Sequence, residues 1–188
     1  MIVLENSLTD TIQGCRLGKR QAQEALYKLF AAKMLGVCAR YATDKMEAED
    51  MLQNGFIKVF GKISDFKGEG SFEGWTRRIM VHSSIEYYRK HHKMMQLVDL
   101  EMPGAEQAAS CVAATSLEAR DLLAMIQTLP PGYRMVFNMY AIEGYSHKEI
   151  GEIMHISEGA SKSQLSRARA ILKEMVNKTE GAKYENFG

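Results

Sequence analysis

The sequence predicts an all-α fold in two small helical domains joined by a flexible linker. Three observations predict it. Apolar residues recur at three- and four-residue spacing through most of the chain, and no stretch alternates as a strand does. A segment of small and polar residues around Pro103 and Gly104 then separates two groups of helical repeats.

In chain order, residues 19–41 carry Ala22, Ala25, Leu26, Leu29, Phe30, Val37 and Cys38, which predicts one long helix or two joined near Gly36. Residues 48–60 repeat the spacing with Met51, Leu52, Gly55, Phe56, Val59 and Phe60. The run 61–70 (GKISDFKGEG) is rich in turn residues and reads as a loop. Ser71 is placed to cap a helix reaching about His92, with Phe72, Trp75, Ile79 and Ile85 near its inner side. Trp75 shares the phase of Phe72 and Ile79, so it reads as core more than as a stacking platform. Residues 94–115 form the linker. Helical spacing restarts at Ser116 with Leu117, Leu122, Leu123 and Ile126, is broken by Pro130-Pro131-Gly132, and resumes to about Ile142. The boundaries expected are 1–93 and 116–178 for the domains and 179–188 for a tail.

The last stretch carries the most specific pattern. Ser146 and Glu149 form a capping box that starts a short helix with Ile150, Ile153 and Met154 on its apolar side. Gly151 on that inner side permits close approach of the next helix. After a turn at His155 and Ile156, Ser157 caps a helix with Leu165, Ala168 and Leu172 inward and Lys162, Ser163, Gln164, Ser166, Arg167 and Arg169 outward. No acidic residue lies between Glu158 and Glu174. Cations that hold phosphates, beside short polar groups that reach base edges, suit a helix lying in the major groove. On spacing alone, an ordinary amphipathic pair with solvated Lys and Arg fits as well.

The formal charge of +1 is unremarkable, but its distribution is segregated. Arg77, Arg78, Arg89, Lys90 and Lys93 are opposed in their span only by Glu86, whereas Asp44, Glu47, Glu49 and Asp50 cluster elsewhere. Cys15, Cys38 and Cys111 are too dispersed for a redox or zinc motif, and the five His residues lack ligand spacing. No apolar run is long enough to span a bilayer, and no secretory leader pattern opens the sequence, so a cytoplasmic location without membrane insertion is expected. No paired carboxylates, nucleophile–base set or phosphate-binding glycine motif points to an enzyme or a cofactor.

Three stretches, in order, give the chain a family likeness: 48–60 (AEDMLQNGFIKVF), 66–79 (FKGEGSFEGWTRRI), and 129–137 (LPPGYRMVF) leading into the helix-turn-helix. Together they resemble the sigma-70 family of bacterial transcription initiation factors, in its extracytoplasmic-function (ECF) group. The resemblance implies that Asp50, Gln53 and Asn54 meet the β′ clamp helices of core RNA polymerase. It further implies that Lys67, Ser71, Arg78, His82, Tyr87 and Arg89 capture the −10 element, a role that glycine-permitted backbone approach, aromatics and cations suit chemically. Lys162, Ser163, Ser166 and Arg167, supported by Gln164 and Arg169, would read the −35 element as duplex. The β flap of polymerase and an anti-sigma factor are the other implied partners. His82 stands where the group often has Asn, His155 where the turn usually has Gly, and Ser161 where Val is usual. A left-handed residue at 155 costs more for His than for Gly, and the Ser161 hydroxyl is expected to bond back to the carbonyl of Ser157. A helix-turn-helix regulator acting without polymerase would explain only the C-terminal part, and a protein-binding helical adaptor would leave the basic helix without a role.

Overall fold

A computed structural model describes the backbone of residues 2–98 and 117–185 and the side chains of residues 8–90 and 120–178. Among the described residues there are eight α-helices and no strand. The chain divides into two compact units, Met1–Leu97 and Val98–Gly188. The linker expected at 94–115 lies, beyond Val98, outside the described residues, as do Cys111 and the last three residues of the expected tail.

The first unit contains α1 (Ile2–Arg16), α2 (Arg20–Ala39), α3 (Lys45–Gly61), a 3-10 turn (Ile63–Asp65) and α4 (Phe72–Val98). Helix α2 runs unbroken through Gly36 and buries Leu26, Phe30, Met34, Val37 and Cys38. Leu29, grouped with them by spacing, is 58% exposed, because the buried stripe follows 26, 30, 34 and 37 and leaves position 29 outside. Asp44 caps α3, its Oδ1 accepting the Glu47 N–H at 2.8 Å, and Ala48, Met51, Leu52, Phe56 and Val59 turn inward. Ser71 caps α4 as expected, its Oγ accepting the Gly74 N–H at 3.0 Å. The helix continues past His92 to Val98, over residues such as Met94, Met95 and Leu97 that favour helix, with Pro103 still ahead.

Phe30, Phe66, Phe72 and Trp75 knit α2, the loop and α4 together, with ring centroids 5.1–5.6 Å apart along the contacts Phe66–Phe72, Phe66–Trp75, Phe72–Trp75 and Phe30–Phe72. Trp75 is half-buried in this cluster. Cys15 and Cys38 are buried free thiols; burial raises the first and pushes the second up to about 11, so both stay protonated at neutral pH.

The second unit holds α5 (Leu117–Thr128), α6 (Pro131–Phe137), a π turn (Asn138–Ile142), α7 (His147–Met154) and α8 (Glu158–Glu185). Helices α5, α6 and α7 pack on α8. Leu129, Ala168 and Leu172 form a buried centre, with Met125, Tyr133, Phe137 and Ile171 against it. No helix among the described residues is long and apolar enough to cross a membrane.

Candidate functional site

The exposed side of α8 is built from its start. The Ser146 N–H and hydroxyl donate to Glu149 Oε2 at 2.8 and 2.7 Å, and the Glu149 N–H donates to Ser146 Oγ at 3.2 Å. These bonds, the backbone one first, hold the Glu149 carboxyl below its usual range. Helix α7 then ends at His155, which takes the left-handed conformation with φ 57° and ψ 43°. The Ile156 N–H returns to the Gly151 carbonyl at 3.1 Å, and Ser157 Oγ caps α8 by accepting the Ala160 N–H at 3.0 Å.

With Leu165, Ala168 and Leu172 turned in, Lys162, Ser163, Ser166, Arg167 and Arg169 are exposed on one continuous surface. Gln164 is at its edge: the residue is half-buried and its Oε1 is enclosed with no hydrogen-bond partner. Arg167 and Arg169 occupy opposite margins. The Arg167 Nη1 donates to the Tyr133 hydroxyl at 3.2 Å, and the Arg169 guanidinium lies 5.6 Å from the centre of the Tyr140 ring. Lys162 pairs with Glu158 one turn back at 2.6 Å. Ser161 is buried, and its hydroxyl meets His147 Nδ1 at 2.9 Å across the helix pair, in place of the bond to Ser157 expected from sequence.

A second surface lies on α3. Asp50, Gln53 and Asn54 are exposed together, and the Asn54 amide donates back to the Asp50 carbonyl at 2.9 Å. Met46 and Ile57, 76% and 69% exposed, extend the same side. Spacing carries their signal, since positions 46, 50, 53 and 57 form one helical stripe out of phase with the buried one. Neither of these two apolar residues is among those expected at this surface from sequence.

The third surface joins the loop to α4. Gly68 and Gly70 take φ 81° and 78°, a backbone open mainly to glycine, and residues 67–71 are exposed. The loop is held from beneath: Arg16 donates to the carbonyls of Ile63 and Phe66. Arg78, His82 and Arg89 follow one stripe of α4. His82 is half-buried, and its imidazole is held below its ordinary value by burial, then by Arg78, with Lys58 and Lys62 adding to this and Glu86 opposing it. Lys58 of α3, whose ammonium pairs with Glu86, and Lys62 just past the end of that helix thus lie near His82, although nothing in the sequence around them marks them for it. Tyr87 does not join the stripe. Its hydroxyl donates to Asp50, and burial with the nearby carboxylates Glu47, Asp50 and Asp44 raises it. Ser71 lies at the loop's end with its oxygen engaged as the α4 cap.

Residues 26–94 match the model of sigma-70 region 2, and residues 119–172 match that of sigma-70 region 4. Among curated proteins, the chain is 28% identical over 163 residues to the ECF RNA polymerase sigma factor SigE of Mycolicibacterium smegmatis, covering 82% of this chain and 62% of that one. It is 28% identical over 156 residues to the ECF RNA polymerase sigma factor SigM of Bacillus subtilis, covering 82% and 95%. A solved complex of the sigma factor RpoE with the anti-sigma factor NepR from Bartonella quintana shares the fold, with a TM-score of 0.54 and 20% identity, over 82% of this chain and 96% of that one.

Proposed function

The chain belongs to the sigma-70 family of transcription initiation factors, in its ECF group, and from that premise we propose that it binds core RNA polymerase and directs it to promoters through the three surfaces described. The observation that carries this reading is the pairing of an exposed stripe on α3 that joins Asp50 to apolar residues with a face of α8 that is basic and without an acid from Gly159 to Lys173, one in each matched region.

In this reading, residues 1–93 act as region 2, 94–115 as linker, 116–178 as region 4, and 179–188 as a tail. Asp50, Gln53 and Asn54 offer a carboxylate and amides to the β′ clamp helices, while Met46 and Ile57 supply apolar contact at the stripe's ends. Lys67, Ser71, Arg78, His82 and Arg89, with Lys58 and Lys62, face the non-template strand of the −10 element. Tyr87, beside Asp50 at the border of this surface, is the remaining residue proposed for the −10 element. Lys162, Ser163, Ser166 and Arg167 read the −35 duplex, Arg169 supports them, and Gln164 contributes from the margin. Region 4 also meets the β flap.

The polymerase supplies bond-making and its metal; this chain supplies promoter choice and helps open the duplex, so it is not itself an enzyme and needs no cofactor. It acts in the cytoplasm, where an anti-sigma factor covers the same surfaces when transcription is not required. Two modest contacts joined by a linker gain effective concentration once both engage one promoter, which is why neither basic surface needs to be extensive.

The test is transcription by purified core polymerase on a library of promoter fragments, with and without the chain. Sequence-selective initiation that depends on the chain is the expected result. Duplex binding unchanged by core, without initiation, would overturn it in favour of a polymerase-independent regulator.

A further inference from the structure

Four side chains of the second unit form a polar and aromatic circuit that begins and ends on α8. Ser161, on the buried face near the start of α8, meets His147 Nδ1 at 2.9 Å. The His147 ring stacks on Tyr140, with centroids 4.5 Å apart and planes at 20°. Arg169, eight residues beyond Ser161 on α8, lies over the same Tyr140 ring at 5.6 Å. Tyr140 reaches this position because of the π turn: the Glu143 N–H returns five residues to the Asn138 carbonyl at 3.0 Å, and the Tyr145 N–H reaches the Met139 carbonyl at 2.9 Å. One extra residue in that turn changes the direction of Tyr140 from that of a regular helix.

From this geometry we infer that His147, Tyr140 and Ser161 are positioning residues that set the rotation of α8 and the placement of Arg169 for reading duplex DNA. Apolar packing of Leu165, Ala168 and Leu172 keeps α8 against its neighbours but tolerates small rotations, since dispersion has little direction. A hydrogen bond and a stacked ring are directional and remove that freedom. Side chains on the exposed surface are far from the helix axis, so a small rotation displaces a guanidinium relative to a base edge. Nothing in these contacts touches DNA; their effect passes through Arg169 and its neighbours on α8.

The inference rests on α8 being the promoter-reading helix, and the experiment separates the two claims. Wild-type chain, Ser161→Ala, His147→Ala, the double variant, Tyr140→Leu and Tyr140→Phe are each assayed with core polymerase on libraries randomised at the −35 or the −10 element, and their unfolding is followed in urea. Ser161→Ala and His147→Ala should each lower selection of the best −35 sequence over a scrambled one by about tenfold, relative to wild type. The double variant should lose no more than His147→Ala alone, because the Ser161 hydroxyl acts only through its bond to His147. Tyr140→Leu should behave alike, Tyr140→Phe should restore selection by keeping the ring, and −10 preferences should not move. Selection unchanged in the single variants, or lost only in proportion to stability with the same base preferences, overturns the inference. A wild-type chain indifferent to the −35 element overturns the reading of α8 and the inference with it.

Discussion

His155 is the one non-glycine residue with positive φ among those described, and it stands at the turn on which the α7–α8 angle depends. The left-handed region costs a side-chain-bearing residue roughly 1–2 kcal/mol, partly offset by the greater unfolded freedom of glycine. His155→Gly should therefore stabilise the second unit by about 0.5–1 kcal/mol, read as a higher urea midpoint by circular dichroism. Gly151 presents the opposite case. A Cβ there would lie 2.8 Å from the Ile156 carbonyl oxygen, which is backbone and cannot swing aside. Gly151→Ala should cost about 1–3 kcal/mol in the same measurement. The turn at 155 and the close approach at 151 were both legible, because each follows from steric rules that act within a few residues. The partner of Ser161 was not, since His147 lies fourteen positions away. His82 gives a pH signature. Its folded value lies below the ordinary 6.5, so below about 6.5 the unfolded chain takes up the proton more readily than the folded one. Acidification from pH 7 through that window should destabilise the wild-type chain more than His82→Asn, and equal losses in the two would contradict the burial of His82 beside Arg78.

At the scale of elements, α1 is the helix whose role is least marked in the sequence. Its buried Ile12 and Cys15 pack it to the first unit, and Arg16 at its end ties down the carbonyls of Ile63 and Phe66. Arg16→Met keeps most of the aliphatic bulk and removes both donors. It should destabilise the first unit by about 1–2 kcal/mol and make the 61–70 loop cleave faster under limited proteolysis, with the helices still formed. Cleavage at the wild-type rate would mean that Phe66 and Ile63 hold the loop by burial alone. The helices from α2 onward were legible because their apolar stripes and caps are local features: Ser71, Ser146 and Ser157 each cap a helix start, whereas α3 starts at Lys45, ahead of the expected 48, because Asp44 caps it. The π turn was not legible, since Asn138–Ile142 has the composition of an ordinary helix and only the pairing of Glu143 with Asn138 distinguishes it. The surroundings of Tyr87 were not legible for a related reason. Counting basic and aromatic residues on α4 groups it with Arg89, whereas its hydroxyl is bonded to Asp50 of the neighbouring helix.

In the molecule as a whole, the proposed labour is divided between two units. The α3 stripe lies in Met1–Leu97 and the α8 face in Val98–Gly188, with no side chain common to both. Asp50→Ala should weaken binding to core polymerase while leaving promoter preference as it was. Arg167→Ala should leave core binding intact and weaken promoter use through the upstream element. Sites that share no partner combine additively, usually within about 0.5 kcal/mol, so the double variant's loss of initiation at limiting core should equal the product of the two single losses. A double loss well short of that product would mean that the two surfaces act as one in the initiating complex. Salt resolves how Arg167 contributes. If it contacts a phosphate, Arg167→Ala weakens holoenzyme binding alike on every promoter and lowers the salt slope by about one; if it contacts a base, preference at one −35 position relaxes at a cost of about 1–3 kcal/mol. The Tyr133 hydroxyl, which holds the guanidinium at the margin of α8 in the free chain, favours the base contact by fixing its direction before DNA arrives. Relaxed preference at one position is therefore the expected outcome, and a uniform loss with a shallower slope would reassign Arg167 to the phosphate backbone.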